Sequence, residues 1–156
     1  MDIQDLTFLR MSFDTARKAR EHCNHPFGAL LVDETGRVLL EAENTVVTER
    51  DSSSHAETNL VRAASKLFDK DFLAKCTLYS STEPCPMCTG AIFWSNIRRI
   101  VFGLSEESLY QMISDESEEV LKYSSRELLK HGKKEIEIIG PLLEEEAREV
   151  HQNFWI

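Results

Sequence analysis

Four residues stand at spacings that suit chemistry. "SSHAETNL" at positions 53–60 places His55 and Glu57 on either side of Ala56. About thirty residues on, "STEPCPMCTGAIFW" at 81–94 holds Cys85 and Cys88 behind Pro84. A catalytic zinc ion takes three protein ligands and keeps a fourth position for water or substrate, and one imidazole with two thiolates meets that count. Cys85 and Cys88 are three apart at an expected helix start, so both thiols project to one face. The positive end of a helix favours the thiolate that a metal needs. Glu57 lies two residues from His55, close enough to serve a metal-bound water without being a ligand.

Other readings of the same residues are available. A Cys-x-x-Cys pair can be a redox couple, although no thioredoxin-type aromatic precedes this one. It can also be half of a structural zinc site, with Cys23, His22 or His25 of "EHCNH" supplying the missing ligand. Glu57 can be a capping-box residue tied to its own helix, with Ser54 as the N-cap. His-x-Glu combined with Pro-Cys-x-x-Cys favours catalysis more than either half alone.

These residues need elements to hold them. Leu6, Leu9, Phe13 and Ala16 fall at helical spacing within residues 3–22. "HPFGALLVDETGRVLLEAEN" is expected to form a β-hairpin, with "FGALLVD" and "RVLLEAE" as strands and turn residues at Glu34 to Gly36. Residues 44–54 are polar and are expected to loop. Residues 55–68 place Ala56, Leu60, Ala63, Ala64 and Leu67 on one side of a helix. "CTLYSST" follows as a strand. "PMCTGAIFWSN" begins on Pro86, a good first helical residue. "RRIVFGL" is another strand, "SEESLYQMIS" and "SSRELLKHG" are short helices around an acidic stretch, and "KEIEIIG" is a last strand before a C-terminal helix. This alternation predicts a three-layer α/β/α sandwich around a mixed sheet.

The bulk properties narrow the function. The chain has 156 residues, 42% of them hydrophobic, which suits one domain over 1–156 with one core. No stretch approaches the ~20 apolar residues of a membrane span. The first twenty residues lack the apolar core of a signal peptide, so a cytoplasmic location is expected. The net charge of −9 opposes nucleic acid over most of the surface and favours a small neutral substrate. Arg98 with Arg99 and Lys133 with Lys134 are the local exceptions.

His55-Ala56-Glu57 followed by Pro84-Cys85-Pro86-Met87-Cys88 is the signature of zinc nucleobase deaminases. The chain resembles the cytidine deaminase superfamily, and within it the bacterial guanine deaminase branch. "HPFGALLVD", "EN", "HAE", "EPCPMCTGAIFWS" and "VFG" all stand in the family's order. The resemblance implies a five-stranded sheet with the two zinc-binding helices packed under it, and a homodimer. It implies Zn2+ held by His55, Cys85 and Cys88, with Glu57 moving protons from water to a ring nitrogen and then to the departing amine. It places the Ala56 N–H near the attacked oxygen. Phe27, Asn44, Trp94 and the C-terminal Trp155 are the expected substrate contacts.

The expected reaction is hydrolytic deamination of guanine or a similar purine. Adenosine in tRNA and cytosine are the alternatives. Guanine deaminases carry an acidic residue a short way after the "VF" strand. That position falls on Ser108 here, with Glu106 and Glu107 beside it.

Overall fold

The computed structural model describes residues 2–155. Five strands form one sheet in the order β2-β1-β3-β4-β5. They are β1 (Gly28–Val32), β2 (Val38–Glu43), β3 (Thr77–Thr82), β4 (Arg99–Leu104) and β5 (Glu137–Ile139). β1 runs antiparallel to β2 and to β3, while β3, β4 and β5 are parallel. This is the mixed five-stranded sheet expected from the sequence.

β1 and β4 read as apolar runs because both faces of the sheet are covered, while β3 between them carries Leu78 and Tyr79 among buried Ser and Thr residues. Ala29, Leu31, Leu78 and Ile100 point to one side, where α3 (Ala56–Leu67) and α5 (Pro86–Ser95) supply Leu60, Ala64 and Ile92. Leu30, Val32, Tyr79 and Val101 point to the other. There α1 (Ile3–Glu21) supplies Leu9, Phe13 and Ala16, and α8 (Glu144–His151) supplies Ala147 and Val150. Alternating side-chain direction along each strand thus builds two cores around one sheet.

α1 starts on a capping box between Asp2 and Asp5. It then presses on β1 at Gly28, where a Cβ would stand 2.5 Å from the Ala16 backbone nitrogen. Only glycine permits that approach, and Phe27 is seated next to it. Asp5, 1% exposed, is pinned by Arg99 at 2.8 and 2.7 Å and by the Tyr79 hydroxyl at 2.6 Å.

Three local features depart from the sequence expectation. The expected loop 44–54 contains a one-turn helix, α2 (Val46–Glu49), and another, α4 (Lys70–Leu73), forms where Asp69 caps the Phe72 N–H. The N-cap of α3 is His55, not Ser54, whose hydroxyl instead bonds Glu49 at 3.0 Å. Glu57 therefore takes no part in a capping box and keeps its carboxyl for other use. The remaining short helices are α6 (Glu106–Gln111) and α7 (Ser125–Leu129).

Candidate active site

The N-termini of α3 and α5 meet beneath the sheet, which brings residues 55 and 85–88 together. His55 and Cys85 are the two N-caps, and neither spends its side chain on its own helix. Pro86 fixes the first turn of α5. The Thr89 hydroxyl donates to the Pro84 carbonyl at 3.1 Å and braces the Cys-bearing turn. His55 Nδ1 lies 3.5 Å from Cys85 Sγ and 3.5 Å from Cys88 Sγ. All three donor atoms fall within 4.8 Å of one another.

This arrangement fits zinc. Bonds of ~2.3 Å to sulfur and ~2.1 Å to nitrogen at a tetrahedral centre put the two ligand atoms about 3.6 Å apart. The donor set of two sulfurs and one imidazole leaves a fourth position open. Cys23 is exposed and His22 pairs with Glu43, so "EHCNH" completes no four-ligand site with them among the described residues.

The electrostatics are those of a site that holds a cation. The Cys88 S–H, then the His55 imidazole, hold Cys85 as a thiolate, down to about 4 against the pull of burial. The same hydrogen bond, together with burial, pushes the Cys88 thiol up. Thr58 Oγ1 sits 3.1 Å from Cys88 Sγ. The Cys85 thiolate raises His55. Glu57 is 6% exposed, and burial, then the Cys85 charge, pushes its carboxyl up to about 7. A carboxyl poised near neutrality can both accept and return a proton.

The other expected contacts are placed as follows. The Ala56 N–H is the first of α3 and has no acceptor within the helix, so it stays available to an oxygen at the site. Asn44 is buried, and its Oδ1 accepts from the Val46 N–H at 3.1 Å. That is the role of a turn asparagine. No acceptor among the described residues takes its Nδ2, which leaves two N–H donors free. Phe27 lies half-buried beside His151, with ring centroids 5.4 Å apart, and beside Trp155 at 6.1 Å. The chain folds back after α8 to bring Trp155 there, with Trp155 Nε1 donating to His151 Nδ1 at 3.0 Å.

His25 stacks edge-on against Trp155 at 5.7 Å, and burial and the nearby His55 lower its pKa. Phe27, His25 and Trp155 thus form an aromatic wall, of which His25 feels the charge of His55.

Trp94 is not part of this group. Its side chain is 72% exposed on α5, with its ring 5.0 Å from that of Phe93. Ser108 is also elsewhere: its hydroxyl donates to Glu144 at 2.8 Å. Of its neighbours, Glu107 caps nothing at the site, whereas Glu106 is buried and within reach of the Cys85 charge, and burial pushes its carboxyl up.

Sequence reasoning did not single out Thr58, Thr89, Glu83 or His151. Thr58 and Thr89 each directly follow a motif residue, and that adjacency was the available signal. His151 had none, because Thr82 and Phe27 are distant in the chain and its near partner Trp155 belongs to no motif.

Comparison with known proteins agrees with this geometry. The cytidine and deoxycytidylate deaminase zinc-binding region, as a family model, matches residues 2–104. A probable cytosine deaminase of Schizosaccharomyces pombe is 44% identical over 97% of this chain and 93% of its own length. A tRNA-specific adenosine deaminase of Haemophilus influenzae is 37% identical over 65% of this chain and 59% of its own length. A guanine deaminase structure from Nitrosomonas europaea superposes with a TM-score of 0.74 at 26% identity, covering 92% of this chain and 80% of that one.

Proposed function

The chain belongs to the cytidine and deoxycytidylate deaminase zinc-binding family, and we propose that it deaminates a free nucleobase, cytosine first and guanine second. That it is a zinc-dependent deaminase follows from the family and from the His55, Cys85 and Cys88 cluster. The proposal concerns the substrate. The balanced reaction is amine-bearing ring plus water to ring carbonyl plus ammonia.

His55, Cys85 and Cys88 would hold the zinc. When bound, zinc lowers the pKa of water toward ~7 and makes it a nucleophile at neutral pH. The chain's own residues do the rest. Glu57 takes one proton from the attacking water and gives it to the ring nitrogen, then takes the second from the hydroxyl added at the ring carbon and gives it to the amine, which leaves as ammonia as the carbonyl forms. The Ala56 N–H donates to the oxygen where negative charge develops. The Asn44 Nδ2 donates to an acceptor on the ring. Phe27, His25 and Trp155 offer flat apolar surface to a planar ring and exclude water.

Glu57, buried with no guanidinium or ammonium partner beside three converging donors, is the observation that supports catalysis most directly. Cytosine is favoured because elements around the site lie beyond residue 104, outside the family match. They include Glu106 and Trp155. The S. pombe relative aligns over 97% of the chain. Guanine, the base expected from the sequence, is supported by the structural likeness to a guanine deaminase and by Glu106 near Cys85. Deamination of tRNA is disfavoured by the net charge of −9.

The test is ammonia release by zinc-loaded protein from cytosine, guanine, adenine, their nucleosides and a tRNA anticodon stem-loop, with Glu57→Ala as control. Turnover of cytosine or guanine, lost in the control and insensitive to salt, is the expected result. Turnover of the stem-loop alone, falling steeply with salt, would overturn it.

The proposal extends to a single catalytic domain over 1–156 and to a homodimer in the cytoplasm. Met87 and Trp94, seven apart on one side of α5 and 39% and 72% exposed, give that dimer an apolar face. Sedimentation velocity of wild type and Trp94→Ser tests it. No helix among the described residues is long and apolar enough to cross a membrane.

A further inference from the structure

The segment between α6 and α7 has no regular structure and holds Asp115, Glu116, Glu118 and Glu119. It is nevertheless fastened at both roots, and one side chain does most of the fastening. Glu83 stands two residues before Cys85. Its Oε1 accepts from the backbone N–H of Glu106, the first residue of α6, at 3.0 Å. Its Oε2 accepts from the backbone N–H of Ser125, the first residue of α7, at 3.0 Å and from the Ser125 hydroxyl at 2.7 Å. Two further ties draw the segment inward. Glu106 Oε1 accepts from the Tyr123 N–H at 2.6 Å. The Tyr110 hydroxyl donates to the Leu121 carbonyl at 3.2 Å and accepts from the Leu121 N–H at 3.3 Å.

Both roots of the segment are thereby tied to a side chain two residues from Cys85. At its start, Glu106 and Tyr110 lie within electrostatic reach of Cys85. Farther along, Glu119 lies within reach of His25, which is itself within reach of His55. The metal-binding turn has separate supports. Thr89 holds the Pro84 carbonyl and Thr58 meets Cys88. Neither contact involves Glu83.

We propose that Glu83 is a positioning residue that latches segment 106–125 across the substrate side of the metal-binding turn. It governs how well substrate is held, and leaves metal binding to other contacts. The kinetic arm of the test rests on the deaminase reading; the exchange and metal arms do not.

The experiment compares zinc-loaded, full-length wild type with Glu83→Ala, Glu83→Gln and Ser125→Ala. Three quantities are read: zinc per chain, hydrogen–deuterium exchange of peptides covering Leu121 and Tyr123, and kcat and KM for cytosine or guanine. All variants are expected to keep one zinc per chain. Glu83→Ala should exchange about tenfold faster at Leu121 and Tyr123 and raise KM about tenfold, with kcat nearly unchanged, because a carboxylate with three donors is lost.

Glu83→Gln should fall between, since its one carbonyl oxygen can keep the Ser125 pair while its amide presents N–H to the Glu106 N–H. Ser125→Ala removes one bond of three and should give the smallest change. It keeps the test open if Glu83→Ala does not fold. Unchanged exchange in Glu83→Ala and Glu83→Gln would overturn the latch. So would zinc loss in step with KM, or a fall in kcat at constant KM. A wild type that turns over neither base, with the exchange differences intact, would sink the substrate reading and leave the latch standing.

Discussion

Of the three buried carboxylates among the described residues, Asp5, Glu57 and Glu106, the first two are served by consecutive residues of one strand. Asp5 is 1% exposed and Glu57 6% exposed. Tyr79 of β3 points to the α1 side and donates to Asp5 at 2.6 Å. The next residue, Ser80, pairs with Ala29 and faces the α3 layer, where it adjoins Glu57. Both are hidden from solvent, Glu57 more deeply within the protein, and the outcomes are opposite. Arg99, then Tyr79, hold the Asp5 carboxyl down to about 2 in spite of burial. Burial, then the Cys85 thiolate, push Glu57 up to about 7, and His55 opposes that only in part. A buried acid that meets a bidentate guanidinium becomes a fixed charge that joins elements. A buried acid left without such a partner becomes a proton carrier near neutrality.

The sharpest way to break this contrast is to neutralise each acid at constant shape. Glu57→Gln should lower deamination about a thousandfold or more, the range of a lost general acid–base group. Its melting temperature should hold or rise, because a buried carboxyl with no guanidinium or ammonium partner is removed. Asp5→Asn should do the reverse. It strands Arg99 and should cost about 3 kcal/mol, a drop of roughly 6–12 °C in Tm, with kcat retained. Calorimetry and ammonia release on both variants decide the matter. An active Glu57→Gln, or a folded but inactive Asp5→Asn, would end the division of roles.

The two regions also differed in how far the sequence disclosed them. The metal trio was legible because its geometry is local: each helix start brings its own ligands, and residue type plus spacing implies the rest. The sheet was legible for a related reason in β1 and β4, which are covered on both faces and read as apolar runs, while β3, with Thr77, Ser80, Ser81 and Thr82, showed only its Leu78 and Tyr79 pair. Asp5 was invisible. In sequence it is an acid in the first turn of an amphipathic helix, and its partner Arg99 lies 94 positions away. Glu83 was opaque in the same way, bonding residues 23 and 42 positions on. α2 and α4 escaped notice because four-residue helices have too little periodicity to detect. The cap of α3 was misplaced by one residue, and that residue decides whether Glu57 caps its helix or stays free.

Acid unfolding sharpens the contrast from the side of Asp5. Its folded value near 2 lies below the ordinary value of 3.8, so its contribution is fully present above the ordinary value. The contribution is lost as pH falls through about 2. The size is about 2 kcal/mol. His151 acts in a higher window. Burial, then the charge of Arg20, lower it from 6.5 to about 4. Neutral His151 therefore stabilises the fold above 6.5, and that stability is lost as pH falls toward 4. Urea midpoints measured from pH 7 to pH 2 in the Glu57→Gln background, which lacks the rise that protonation of Glu57 gives below pH 7, should decline in two stages. His151→Gln should remove the upper stage and Asp5→Asn the lower. A single stage that survives both substitutions would show that neither group governs acid stability.

The smallest expected effect bears on the strand between the two acids. Tyr79→Phe keeps the ring, which packs against Phe8 with centroids 5.3 Å apart, and deletes only the hydroxyl that bonds Asp5. Arg99 still satisfies both carboxylate oxygens. The cost should therefore be that of one hydrogen bond to a charged group, about 1–2 kcal/mol, read as a Tm decrease of a few degrees. Since Tyr79 and Ser80 face opposite layers, kcat and KM should not move. A change in turnover would mean that β3 transmits strain from the Asp5 side to Glu57, and that the two carboxylates are coupled across the sheet rather than insulated by it.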